Sequence, residues 1–527
     1  MRRIVVVLVL ALATCVWPSG QRATAVQAAP ARSLQADFNN DGAADLAIGV
    51  PFEFVGAIQD AGAVNVLYGS AGGLRGPGSE FFTQDTPGVP GTADPQDNLG
   101  FGLATGDFNR DGFADLAIGV PGEDIGTIGS AGAVIALYGS AAGLTTNGAQ
   151  LLTQAGGATE LNDAFGAALA VGDFNHDGFA DLAASVSGED VGSVLDAGAV
   201  SILPGSPGGL TTVGGRLFTQ VGGAVEAEDF FGETLATGDF DQDGFADLAA
   251  AASSEDVGTT ESAGAVSVLY GSMAGLTRAG GRLFTQVGGA AELQDFFGAA
   301  LAAGDFDRDG FADLAAGAPG EDVGSAFNAG AVSVLRGSSA GLTRAGGRLF
   351  TQVASPVEAE DGFGAALATG NFDDDGFVDL AAGAPGEEFR SGVVSVLFGS
   401  SAGLTRAGGQ LFTQVGGAVE TNDGFAASLT AADFDHDGFA DLAAGAPFEA
   451  VGSVLDAGAV SVLYGSGGGL TRTGGQLFTQ NSPGLGSSAE ALDNFGLTLA
   501  SGGWGSPSSS AAPSGSQSRN RNTMPSG

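Results

Sequence analysis

The chain has no lysine, two histidines, one cysteine and no apolar run of membrane-spanning length, and each scarcity removes a class of protein. Cys15 lies in an N-terminal stretch that reads as removable, so the mature chain has neither a disulfide nor a thiol nucleophile. Its stability must come from packing and bound ions. All 18 basic residues are arginine and they stand against 60 acidic ones; the formal net charge of −42 repels phosphate backbones and anionic lipids, which excludes nucleic acid as a partner. No stretch reaches the roughly 20 apolar residues that a helical membrane span requires.

The ends differ in composition from the middle. Arg2 and Arg3 precede an apolar run from Ile4 to Ala13, and Ala23-Thr24-Ala25 offers a small-residue cleavage site, so residues 1–29 read as a signal peptide of a secreted or cell-surface protein. Leu12-Ala13-Thr14-Cys15 resembles a lipoprotein box, with Thr an unusual residue before a lipidated cysteine. Residues 503–527, rich in Ser, Pro and Gly, read as a disordered tail. Residues 30–502 form one repeat domain, expected to be soluble and monomeric.

That domain is periodic. The phrase Asp-Phe-Asn/Asp-x-Asp-Gly-Phe-Ala-Asp-Leu-Ala begins at Asp37, Asp107, Asp173, Asp239, Asp305, Asn371 and Asp433, at intervals of 70, 66, 66, 66, 66 and 62 residues. Such a period suits one four-stranded propeller blade and is too long for ankyrin, leucine-rich or tetratricopeptide units. In the unit from Phe297 to Val353, Phe297–Ala302 and Ala312–Ala318 are expected to be strands flanking the Asp-rich loop, Gly330–Leu335 a third strand and Leu349–Val353 a fourth. The fold class is all-β: a seven-bladed β-propeller of four-stranded antiparallel blades, with the small Ala- and Leu-rich first strands near the axis.

Each loop has the form D-x-[DN]-x-D-G-x-x-D. Calcium is a hard cation taking six to eight oxygens, so a tight loop must aim several carboxylates at one point. Positions 1, 3, 5 and 9 supply side-chain oxygens and position 7 a backbone carbonyl, while glycine at position 6 permits the reversal. The expected ligands are Asp37, Asn39, Asp41, Ala43 and Asp45 in the first loop, and Asp107, Asn109, Asp111, Phe113 and Asp115 in the second. The third and fourth offer Asp173, Asn175, Asp177, Phe179 and Asp181, then Asp239, Asp241, Asp243, Phe245 and Asp247. The fifth offers Asp305, Asp307, Asp309, Phe311 and Asp313; the sixth Asn371, Asp373, Asp375, Phe377 and Asp379; the seventh Asp433, Asp435, Asp437, Phe439 and Asp441. These positions hold 24 of the 60 acidic side chains, and seven Ca2+ ions would bring the charge from −42 to −28. Position 12 is Ile or Ala in every loop, never the bidentate Glu of an EF-hand.

With these loops in place, the unit resembles the FG-GAP repeat of integrin α-subunit heads. Phe-Gly stands at Phe101-Gly102, Phe165-Gly166, Phe231-Gly232, Phe297-Gly298, Phe363-Gly364 and Phe495-Gly496; Gly-Ala-Pro stands at Gly317, Gly383 and Gly445. The first two repeats read Gly-Val-Pro instead, the third and fourth lose the phrase, and the seventh has Phe425-Ala426. The resemblance implies a seven-bladed propeller with calcium in several blade hairpins. The segment from Phe495 to Ser501 is a first strand with no loop after it, expected to close the ring in the first blade; the alternative is a degraded eighth repeat, with Gly503-Trp504 where Asp-Phe would stand.

Three function classes are compatible. The resemblance implies a non-enzymatic binding or adhesion module whose partner is an extracellular protein or cell-surface polymer. The alternatives are the non-catalytic propeller of a secreted hydrolase and a structural cell-surface spacer. Catalysis by the chain itself finds little support, because His176 and His436 occupy the variable fourth position of metal loops, where they should face solvent.

Overall fold

The computed structural model describes residues 36–353, 356–417 and 420–502; the expected signal peptide, Cys15, Gly503-Trp504 and the tail lie outside the described residues. Twenty-eight strands form seven sheets of four, each antiparallel throughout. The sixth blade adds one helical turn, Glu387–Arg390, the only helix among the described residues, and it is far too short to cross a membrane.

Each sheet is a blade that runs outward from a common axis. In blade five the strands are Leu301–Gly304, Asp313–Ala318, Ala331–Arg336 and Thr343–Phe350. The second and third are buried along nearly their whole length because both of their faces meet a neighbouring blade. This is why they read as continuous apolar runs rather than alternating ones. Leu314 and Ala316 face blade four, whereas Ala315, Val332 and Val334 face blade six. Seven such apolar layers exist, one between each adjacent pair, including the pair formed by blades seven and one. The innermost strands touch one another in an unbroken circle around a channel of about 540 Å³ whose lining includes Leu169, Thr237, Leu301 and Leu429.

The ring closes as the Phe495 segment suggested. Thr498–Ala500 is the innermost strand of blade one, pairing Ala47 with Ala500, Ile48 with Leu499 and Gly49 with Thr498. Phe495 itself is fully buried, like Phe165, Phe231, Phe297, Phe363 and Phe425 of the other repeats. The Phe-Gly and Gly-Ala-Pro phrases meet in space. A Cβ on Gly317 would lie 2.0 Å from the carbonyl oxygen of Gly364 in the next blade, so that contact requires glycine.

The strand bounds differ from expectation at two places. The first strand begins at Leu301, with Phe297 an anchor before it, and the fourth runs from Thr343 to Phe350 rather than from Leu349 to Val353. Arg344-Ala345-Gly346-Gly347 looks like a turn, yet a register shift between Val334 and Arg336 keeps it in the sheet as a bulged outer edge, with Gly346 at φ +81°.

Candidate metal centres

In six blades the Asp-rich loop connects the first strand to the second, and in blade one the loop leads into the second strand beside the end of Thr498–Ala500, where Ala36 N–H donates to Ser501, so all seven lie on one face of the ring. In each of the seven, the fourth residue adopts the left-handed conformation, from Asn40 at φ 55° to Arg110 at φ 59°, and the position-six glycine follows at φ +87° or above. Two positive-φ residues flanking the position-5 aspartate reverse the chain and turn its side chains inward.

Hydrogen bonds fix the carboxylates in place. In the fourth loop Asp239 accepts from the N–H groups of Asp243 (3.1 Å) and Gly244 (3.1 Å), and Asp243 accepts from Phe245 N–H (3.0 Å). Asp247 at position 9 is fully buried and accepts from Phe240 N–H at 2.9 Å and from Gly271 N–H, at the end of the third strand, at 2.8 Å. The other loops repeat the position-9 bond to the third-strand glycine: Gly69, Gly139, Gly205, Gly337, Gly399 and Gly465. The sixth loop departs at position 1, where the buried Oδ1 of Asn371 has no partner.

Burial pushes the position-9 carboxyls up, to about 8 for Asp45, Asp115, Asp247 and Asp441 and to about 7 for Asp181, Asp313 and Asp379. Burial, with neighbouring carboxylates adding to it, also raises Asp241, Asp373 and Asp435 at position 3. A divalent cation would reverse these shifts. Ligand oxygens of Asp239, Asp241 and Asp247 lie within 4.8 Å of one another, as do those of Asp433, Asp435 and Asp441 and of Asp305, Asp307 and Asp309. The first three loops carry Asn39, Asn109 and Asn175 at position 3, and their amide oxygens are suitable hard donors. The donor set therefore fits calcium.

The loops also bind each other. The position-8 N–H of each loop donates to the position-1 carbonyl of the preceding blade's loop, from Ala114 to Asp37 (3.2 Å) round to Ala44 to Asp433 (2.9 Å), a closed circle of seven bonds. Position-4 side chains reach the other way, to the following blade: Arg110 Nη1 donates to the carbonyl of Asp177 (3.1 Å) and His176 packs edge-on against Phe245. Both histidines are exposed, but they rest on a neighbouring loop instead of standing free in solvent.

A second set of carboxylates was not anticipated. At the far end of the second strands, each blade junction holds a Gln, a Glu and an Asp, all buried except the half-buried Glu123. Gln154 of blade two donates to Glu189 of blade three (2.7 Å), and Asp163 accepts from Glu160 N–H (2.6 Å). Gln84 with Glu123, Gln286 with Glu321 and Gln480 with Glu53 repeat the pairing. Burial, helped by nearby carboxylates, pushes Glu189 and Glu321 up to about 7 and Glu53 to about 8. The recurring Thr-Gln, Glu-x-x-Asp and Glu-Asp phrases carried this signal, but their members come from different blades.

The FG-GAP repeat model matches seven times, at residues 30–67, 99–137, 165–203, 231–269, 297–335, 363–397 and 425–463. The chain is 34% identical to phosphatidylinositol-glycan-specific phospholipase D of Rattus norvegicus over 29% of this chain and 18% of that protein. It is 31% identical to integrin alpha-V of Gallus gallus over 44% of this chain and 21% of that protein, and 30% identical to integrin alpha-PS2 of Drosophila melanogaster over 43% and 16%. The chain thus spans about a fifth of the length of these relatives. Among solved structures, a rhamnogalacturonan lyase of Bacillus licheniformis aligns over 82% of this chain and 71% of that one at 12% identity and a TM-score of 0.36, too slight a likeness to bear on function.

Proposed function

The chain belongs to the FG-GAP repeat family, and from that premise we propose that it is a secreted calcium-binding propeller acting as a non-enzymatic extracellular binding or adhesion module. The observation that carries this reading is the convergence of Asp239, Asp241 and Asp247, repeated by Asp433, Asp435 and Asp441, each cluster made of two half-buried carboxylates and one buried one. Positions 1, 3, 5 and 9, with the position-7 carbonyl, would hold each ion. Bound calcium supplies the counter-charge that these carboxylates need. The protein residues do the rest: backbone N–H groups orient the carboxylates, and the circle of loop-to-loop bonds ties each site to the next.

The similarity to integrin alpha chains favours a protein or cell-surface polymer as the partner. The similarity to a phospholipase D keeps the accessory propeller of a hydrolase as the second reading. Capture of surface components on immobilised protein, with calcium and with chelator, separates binding from a spacer role. Calcium-dependent capture is the expected result, and equal capture in both conditions, or none, defeats the proposal.

A further inference from the structure

The residue that ends the third strand stands directly above its blade's metal loop. It is Tyr68, Tyr138, Tyr270, Phe398 or Tyr464 in five of the blades and Arg336 in blade five, and in blade three Pro204 follows the strand at the same place. The tyrosines point their hydroxyls at the next blade, where Tyr68 accepts from Leu144 N–H (3.0 Å) and Tyr270 from Leu342 N–H (3.1 Å). Arg336 keeps that link through Nη2, which donates to the carbonyl of Ala402 (2.9 Å). Its Nη1, however, turns into the loop. It pairs with Asp307 at position 3 and lies 3.1 Å from Oδ2 of Asp313 at position 9, with Asp313 almost fully buried and Arg336 mostly so.

The loop is rearranged accordingly. In the other six, position-9 Oδ2 accepts from the N–H of the phenylalanine at position 2, as from Phe240 (2.9 Å) and Phe434 (2.8 Å); in blade five it faces the guanidinium. In the fourth and seventh loops the converging carboxylates are those of positions 1, 3 and 9. In the fifth they are those of positions 1, 3 and 5.

We propose that Arg336 is the resident cation of the blade-five loop, holding its carboxylates in the absence of metal and weakening calcium binding there by more than about tenfold relative to the other all-aspartate loops. The inference rests on the calcium reading above. A fixed positive charge a few ångströms from the site repels a divalent ion, and the ion could reach Asp313 only after the guanidinium had left it. The ring therefore contains one blade whose hairpin stays ordered when calcium is scarce.

The test is calcium stoichiometry by equilibrium dialysis on chelator-stripped protein. Wild type is compared with Arg336→Tyr, a residue that four other blades accept at this place, and with Arg336→Gln. Exposed Arg344→Gln controls for the change in net charge. Both Arg336 variants should bind one calcium more than wild type at the same free concentration, and Arg344→Gln should match wild type. Equal stoichiometry for wild type and both Arg336 variants, with several ions bound in each, overturns the role of Arg336 alone. No calcium bound by any of the proteins overturns the calcium reading itself.

Discussion

Removing the closing strand should open the ring, and the structure sets the size of the effect. A chain ending at Ala489 loses Phe495, whose fully buried ring is worth about 3–5 kcal/mol against a truncated side chain. It also loses the bonds of Ala36 N–H to Ser501 (3.0 Å), Gly496 N–H to Gly49 (3.2 Å), Thr498 Oγ1 to Gly100 (2.6 Å) and Ser428 Oγ to Gly496 (2.6 Å), at roughly 1 kcal/mol each. Together these reach about 7–9 kcal/mol, comparable to the whole stability of an ordinary domain. Contacts such as Gln480 with Glu53 and Gln476 with Leu74 survive the truncation, whereas the bonds of Leu492, Asn494 and Phe495 N–H to the carbonyls of Leu455, Asp456 and Ala457 in blade seven are lost with the strand. The assay is thermal and urea unfolding followed by circular dichroism, in calcium, against a control chain ending at Gly502. The shorter chain should melt far below the control. Coincident transitions would refute closure by Thr498–Ala500.

Other perturbations follow from the same geometry. Phe495→Ala and Phe297→Ala should cost equal amounts, about 3–5 kcal/mol each in urea unfolding, because the two side chains are buried alike. Gly317→Ala should destabilise by at least about 1–3 kcal/mol through its clash with the Gly364 carbonyl, read in the same way. In chelator, melting temperature should fall as pH rises from about 4.5 to about 8. Glu189, Glu321 and Glu53 keep their protons to about 7 or 8 when folded and release them near 4.5 when unfolded, so the folded state binds more protons and the stabilisation present at low pH is lost across that window. A melting temperature that rises over this range would contradict the assignment of these buried junctions.

What could be read from the sequence was what is local. The Asp-rich loop packs its candidate ligands, its reversing glycine and its strand boundaries into nine residues, so each copy carries the whole pattern and seven copies in phase define the ring. Phe495-Gly496 was legible as a closing strand for the same reason: it repeats a phrase whose role is fixed elsewhere. The contacts that stayed hidden join residues distant in sequence. Gly271 holds Asp247 across 24 residues, and Gln154 reaches Glu189 across 35 residues and a blade boundary. Arg336 lies 23 residues from Asp313 in sequence, and the third strand brings it over that carboxylate. The outer strand was misplaced because Gly346-Gly347 signals a turn, whereas pairing of Thr343 with Arg336 and of Arg348 with Val334 carries the edge through the bulge.

Calcium binding is the claim on which the functional reading depends, and its most direct test is the number of ions that the stripped wild-type protein takes up. Equilibrium dialysis across free calcium of about 0.01 to 5 mM, bracketing the 0.1–1 mM affinities usual for extracellular modules, should show at least three and up to six equivalents, with the melting temperature rising as the sites fill. Fewer than three equivalents, or a melting temperature indifferent to calcium, would contradict it.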